Sequence, residues 1–222
     1  MKSAEIADSE AFATRFAVSR ETVDRLRVYE ATLRRWQSAI NLVAPATLSS
    51  IWHRHFADSA QLAALMPDGA RALADLGSGG GFPGLVLAII LSDKGLSRVV
   101  LVESDARKAA FLREVARLTS APVEILSTRI ENRQTQSTIG AVDVVTARAL
   151  APLSRLIGLA APLFGPKTVG LFPKGREAQS EVQAARVEWS FECSLVPSVT
   201  EPAANIVVIR RLEADQAQIE ED

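Results

Sequence analysis

The stretch Asp75-Leu76-Gly77-Ser78-Gly79-Gly80-Gly81-Phe82-Pro83-Gly84 follows one short apolar run, Ala72–Leu76, and opens another, Gly84–Leu91. It therefore reads as the turn between a strand and a helix, where glycines let the chain bend tightly and bring backbone N–H groups against a ligand. Pro83 suits the first turn of the next helix. Working outward, apolar runs at Val99–Glu103, Val123–Leu126, Val142–Thr146, Thr168–Phe172, Phe191–Val196 and Ile206–Arg210 are expected to be further strands. Helices are expected between them, over about Ala106–Thr119, Pro152–Leu163 and Gly175–Val187. Such alternation requires a parallel sheet with right-handed crossovers and helices on both faces. Only Pro197–Asn205 separates the last two strands, too little for a crossover helix, so these are expected to pair antiparallel.

Two ligands compete for the glycine turn. Gly79, Gly81 and Gly84 fit G-x-G-x-x-G, the pattern of a dinucleotide loop, while Asp75-x-Gly77-x-Gly79-x-Gly81 fits the acidic-x-G-x-G-x-G loop of S-adenosylmethionine enzymes. In the second case the acid serves the methionine amino group through water, and the acidic start favours this reading. Glu103 ends the second strand 24 residues after Gly79, where a carboxylate can accept hydrogen bonds from both ribose hydroxyls of an adenosine. Its competing role is to cap the helix from Ala106, which Ser104 or Asp105 can do instead. A parallel sheet closed by an antiparallel strand resembles the class I methyltransferase fold more than a dehydrogenase domain.

Upstream, residues 9 to 66 read as helical. From Ser19, a candidate N-cap, Val23, Leu26, Tyr29, Leu33, Trp36 and Ile40 recur at the three-four spacing of one packed helix face. Arg20, Arg27 and Arg34 fall on one flank of it, a solvated face or an RNA contact. The expected organisation is an N-terminal helical extension over 1–68, an α/β methyltransferase domain over 69–212, and an acidic, disordered tail over 213–222.

Composition narrows the class. With 222 residues, 48% hydrophobic and 23% charged, the chain is an ordinary globular one. The formal net charge is −1, yet Glu213–Asp222 holds five acids and no base. Taking those five from the 26 acids leaves 21 against 25 bases, a mildly basic body of +4. Cys193 is the single cysteine, so no internal disulfide or cysteine-based zinc cluster can form, which suits the reducing cytoplasm. Met1–Phe12 carries Lys2, Glu5, Asp8 and Glu10 and lacks the apolar core of a secretory signal, and Leu85–Leu91 is far too short to cross a bilayer. His53 and His55, two apart on a helix, do not share a face, so no metal site is expected.

From Asn41 to Arg211 the chain resembles the small-subunit ribosomal RNA guanine-N7 methyltransferase family, also called glucose-inhibited division protein B. The resemblance rests on Asn41-Leu42, Arg54-His55-x-x-Asp58-Ser59, the glycine stretch with its Phe82-Pro83-Gly84 ending, Lys108-x-x-Phe111-Leu112, Thr128-Arg129-Ile130-Glu131, Val145-Thr146-Ala147-Arg148-Ala149 and Pro173-Lys174-Gly175. It implies a class I, Rossmann-like, mostly parallel seven-stranded sheet, S-adenosyl-L-methionine as cofactor, and a guanine of 16S ribosomal RNA or the small ribosomal subunit as substrate. By the same resemblance Gly77 and Phe82 contact the cofactor, Ile130 and Glu131 bracket its adenine, and Arg148 sits where cofactor and target base meet. Asp75, Gly79 and Glu103 complete the expected cofactor site. Ala147, in place of a small hydroxyl residue, and Leu150, where phenylalanine is common, depart from the family's pattern without removing a charge.

Guanine N7 carries an in-plane lone pair, so its methylation needs alignment and no general base. The absence of an Asn-Pro-Pro-aromatic motif is consistent, and Cys193, inside a late strand, reads as a core thiol. Duplex RNA hides N7 in a deep, narrow groove, so a loop or opened base is the expected target. Arg54, His55, Lys174 and Arg176 are the candidate phosphate contacts, no membrane or metal is expected, and a monomer suffices. The rival readings are a small-molecule methyltransferase with residues 9 to 66 as a lid, an NAD-dependent oxidoreductase, which lacks a Tyr-x-x-x-Lys pair, and an inactive binding module.

Overall fold

The computed structural model describes residues 5–214, with side chains to Glu213. At its centre lies a seven-stranded sheet: β1 (Ala72–Leu76), β2 (Arg98–Val102), β3 (Val123–Leu126), β4 (Val142–Thr146), β5 (Phe164–Lys174), β6 (Trp189–Pro197) and β7 (Asn205–Ala214). Their order is β3-β2-β1-β4-β5-β7-β6. The first five run parallel, while β7 inserts antiparallel between β5 and β6. The antiparallel pairing expected of the last two strands is thus present, and it places β7 beside β5 as well.

Side chains of the inner strands alternate between two apolar clusters, one on each face, as a sheet covered on both sides demands. Leu73, Val99, Leu101 and Val144 enter one cluster, and Ala74, Leu76, Val100, Val102 and Val145 the other. Helices α4 (Gly84–Leu91) and α5 (Ala106–Thr119) cover the first face, α7 (Leu153–Ala160) and α8 (Ala178–Ala185) the second.

The N-terminal segment packs on the first face. After α1 (Ser9–Phe16), Ser19 caps α2 (Arg20–Gln37) by accepting from the Thr22 backbone N–H at 3.1 Å. Leu26, Tyr29 and Leu33 from α2 join the same cluster as Leu85, Phe111 and Leu112, so the extension and the α/β unit share one core. The helical reading of 9 to 66 holds only in part. The α2 helix stops at Gln37, whose side-chain amide binds the backbone of Leu42 and Val43, and tight turns take over from there. These are a 3-10 turn at Pro45–Ser50, a wider π-type turn at Trp52–Ala57, one α-turn α3 (Asp58–Ala60) and a 3-10 turn at Gln61–Leu65.

One helix was not foreseen. Helix α6 (Arg133–Ile139) is capped by Asn132 but buries only Thr135 and Ile139, so it lacks an apolar period to betray it. Of the expected acidic tail, Glu213 and Ala214 belong to β7, and residues 215–222 lie outside those described.

Candidate active site

In this strand order β1 and β4 are neighbours whose crossovers leave in opposite directions, which opens a crevice at their carboxyl ends. A cavity of about 1300 Å³ occupies that crevice. Pockets for one small ligand run to roughly 300–1000 Å³, so there is room for more than a cofactor. Gly77, Gly79, Phe82, Glu103, Ile130, Glu131 and Arg148 line it, as do Arg54, His55 and Lys174. Asp75 and Arg176 do not.

The glycine loop is held from behind by the N-terminal segment. The hydroxyl of Tyr29, the chain's one tyrosine, donates to the Gly80 carbonyl, and its ring stacks on Phe82 with centroids 5.3 Å apart. Gly81 has φ +90°, and a Cβ there would collide with the Tyr29 hydroxyl. At Gly84 a Cβ would come within 2.5 Å of Asp75 Cβ and 2.6 Å of Leu101, so only glycine lets α4 start directly over β1 and β2. Asp75, expected near the amino group of the cofactor, lies fully buried beneath the loop, where Oδ1 accepts from Thr146 Oγ1 at 2.8 Å. Burial raises its pKa to about 6, against the opposing pull of Thr146, Ser78, the Gly84 backbone and the Arg148 charge.

Glu103 sits just past β2, buried yet lining the cavity. Its Oε2 accepts from Gly79 N at 2.7 Å and its Oε1 from Asp105 N at 2.8 Å. Asp105 caps α5 by accepting from Arg107 N and Lys108 N, so Glu103 is released from capping. A carboxylate offers about four lone-pair sites, and two remain for a ligand. Ile130 is buried and Glu131 exposed at the cavity wall beyond β3. A buried carboxylate between a glycine turn and an apolar wall of Phe82 and Ile130 fits the adenosine of S-adenosylmethionine. Glu103 would hold the ribose and Ile130 with Glu131 the adenine.

Arg148 follows β4 and is 19% exposed. Its Nη1 donates to Arg54 O at 3.2 Å and to Asp58 Oδ2 at 3.3 Å, Nη2 meets His55 Nδ1 at 2.9 Å, and Cζ lies 5.1 Å from the Phe82 ring centroid. His55 is buried, and its pKa falls to about 3 through burial and the charges of Arg148 and Arg54, so it is neutral at ordinary pH. Lys174 is 10% exposed and turned inward, donating to Ala151 O and Glu181 Oε2, both at 2.7 Å. Arg54 and Arg176 are exposed, Arg54 pairing with Glu201 at 3.0 Å. Of the four residues expected at phosphate, two are therefore exposed cations and two are structural parts of the cavity wall.

Further out, Arg27 pairs with Glu10 and Asp24, and Arg34 with Glu30. His53 accepts from Ile6 N and reaches Thr200 O, a link between segments. Cys193 is half-buried in β6, away from the cavity, and burial raises its pKa. Among the described residues no helix is long and apolar enough to cross a membrane, and no three His, Cys, Asp or Glu side chains cluster to hold a metal. Sequence reasoning missed Tyr29 as a loop clamp and Asp58 as an Arg148 partner. The available signals were the uniqueness of the tyrosine within an apolar stripe and the placement of Asp58 one turn after Arg54 and His55.

Solved methyltransferases share this architecture. An O-methyltransferase from Bacillus cereus in complex with SAH superposes with a TM-score of 0.56 at 16% identity, over 82% of this chain and 90% of that one. A putative O-methyltransferase from Klebsiella pneumoniae gives 0.57 at 15% identity, over 91% and 96%. At such identities the likeness is one of fold. Sequence relatives are far nearer. A ribosomal RNA small subunit methyltransferase G from Parvibaculum lavamentivorans is 51% identical over 214 residues, 96% of this chain and 94% of its own. One from Methylobacterium sp. strain 4-46 is 55% identical over 196 residues, 88% and 91%. The GidB family model, described as rRNA small subunit methyltransferase G, matches residues 22–208. With this cavity, this sheet order and that match over most of its length, the chain belongs to the rRNA small subunit methyltransferase G family.

Proposed function

We propose that this enzyme methylates N7 of a guanine in 16S ribosomal RNA, working as a monomer in the cytoplasm. One cavity carries the proposal: it is lined by buried Glu103, Phe82 and Ile130, which suit an adenosine, and also by Arg148 and exposed Arg54. Bound there, S-adenosylmethionine would supply an electrophilic methyl group to the N7 lone pair, the charge of its sulfonium passing to the base. The protein's task is to align the two partners and exclude water. Glu103 holds the cofactor's ribose side, Phe82 separates the loop from the base side, and Arg148 orients the base. No side chain has to remove a proton, because N7 carries none. Exposed Arg54 and Arg176 are the phosphate contacts this reading retains.

The test is methyl incorporation from labelled S-adenosylmethionine into small subunits, deproteinised 16S RNA and a metabolite extract, followed by mapping of the modified nucleotide. Label at a guanine N7 of the RNA is the expected result. Label only in the metabolite fraction would make this a small-molecule methyltransferase.

A further inference from the structure

The polar groups around Arg148 form a directional chain. Thr47 Oγ1 donates to Ala44 O at 2.7 Å, so toward His55 Nε2, also 2.7 Å away, it can act only as acceptor. That puts the His55 proton on Nε2 and leaves the Nδ1 lone pair facing Arg148 Nη2 at 2.9 Å. On the other side Asp58 Oδ2 faces Nη1 at 3.3 Å, while its Oδ1 is held by Thr200 Oγ1 at 2.8 Å and Gln61 Nε2 at 2.9 Å. With the Arg54 carbonyl, these contacts occupy three of the five N–H groups of a guanidinium. Two are left without a partner among the described residues, in a side chain that lines the cavity.

We propose that His55 and Asp58, backed by Thr47, are positioning residues that fix the Arg148 guanidinium over Phe82 so that its two remaining N–H groups grip O6 of the target guanine. This inference rests on the reading of the site as one for guanine N7. On the Hoogsteen edge of guanine O6 and N7 are adjacent acceptors, and an arginine free to swing would bind both and cover the atom to be methylated. Held by three partners, it reaches O6 and leaves the N7 lone pair open. The charges agree. Methylation makes the base cationic, which a bare guanidinium would oppose, but the Asp58 carboxylate balances Arg148 and neutral His55 adds no further charge.

The test compares His55→Ala with His55→Asn, whose side-chain oxygen can take the place of Nδ1 as acceptor. Single-turnover methyl transfer is measured at saturating RNA, with S-adenosylmethionine affinity by calorimetry and melting temperature alongside. His55→Ala is expected to transfer roughly a hundredfold more slowly, the scale of loss for a misaligned reacting group. His55→Asn should recover most of that rate, and both should bind S-adenosylmethionine like the parent. Equal losses in the two variants, or a loss confined to cofactor affinity, would overturn the proposal. Thr47→Val, a half-exposed and nearly isosteric change, guards against a folding defect at buried His55. It should also slow transfer at parental cofactor affinity, and an unchanged rate there would equally count against the proposal. If the parent enzyme itself fails to methylate RNA, the functional reading fails; if it succeeds and the variants do not separate, only this inference does.

Discussion

Glu103 and Asp75 are both buried acids packed against the glycine loop, yet only Glu103 lines the cavity. Glu103 also ties Gly79 to the start of α5. Glu103→Ala should weaken S-adenosylmethionine binding by roughly 1.5–3 kcal/mol, the range for hydrogen bonds to a charged acceptor, and calorimetry on the folded variant checks it. Asp75 does not line the cavity, and its burial makes it a pH-sensitive group. Its pKa, raised to about 6, means the fold binds a proton the unfolded chain releases, a stabilisation present below pH 4 and lost as pH rises through 6. His55, lowered to about 3, acts in the opposite sense, with stability present above 6.5 and lost as pH falls. Between pH 4 and 6 the two slopes oppose each other. Asp75→Asn should therefore lose stability on acidification more steeply than the parent, by about 1.4 kcal/mol per pH unit across that window. Denaturant unfolding at pH 4, 5 and 6 measures it, and parallel curves would remove Asp75 as the compensating group.

Helix α2 and the strand-end loops shape the site as whole elements. Tyr29→Phe would leave the Gly80 carbonyl buried against α2 without its donor, a loss of about 1–2 kcal/mol in stability. Because that carbonyl belongs to the glycine loop, cofactor affinity should fall with it. Unaltered affinity in the variant would show that α2 merely covers the sheet. Lys174 joins the loop after β4 to β5 and α8 through Ala151 and Glu181, which itself accepts from Leu153 N. Lys174→Ala should cost about 1.5–3 kcal/mol of stability, the range for charged hydrogen bonds, and should slow methyl transfer even at saturating RNA. If it instead raised only the RNA concentration required, Lys174 would reach phosphate after all.

At the scale of the molecule, the proposed function has RNA and cofactor meet different parts of one cavity. On that reading RNA approaches exposed Arg54 and Arg129 at the cavity and exposed Arg176 beside it, while buried Glu103 and Ile130 face the adenosine. Phosphate contacts release counterions, so RNA affinity should fall steeply between low and moderate salt, whereas S-adenosylmethionine affinity should barely move. Filter binding across a salt series reads the first and calorimetry the second. A flat RNA curve would defeat the view of the rim as a phosphate surface.

The strand–glycine turn–helix unit, seven strands, the Ser19 cap and Glu103 at a strand's carboxyl end were legible in the residues alone, though β2 stops at Val102, one residue before Glu103. Each of these is written in residues a few positions apart, through apolar period, turn chemistry and capping, so neighbours alone can express it. Short polar α6 and the turns after Gln37 escaped because they carry no such period. The directions of the polar side chains came from long-range packing. His55 and Lys174 read as phosphate contacts by type and place, but His55 meets Arg148 across 93 residues and Asp58 meets Thr200 across 142. Such pairings depend on how the N-terminal turns pack against the strand ends, and once burial removes water a polar group takes whichever partner that packing brings within reach.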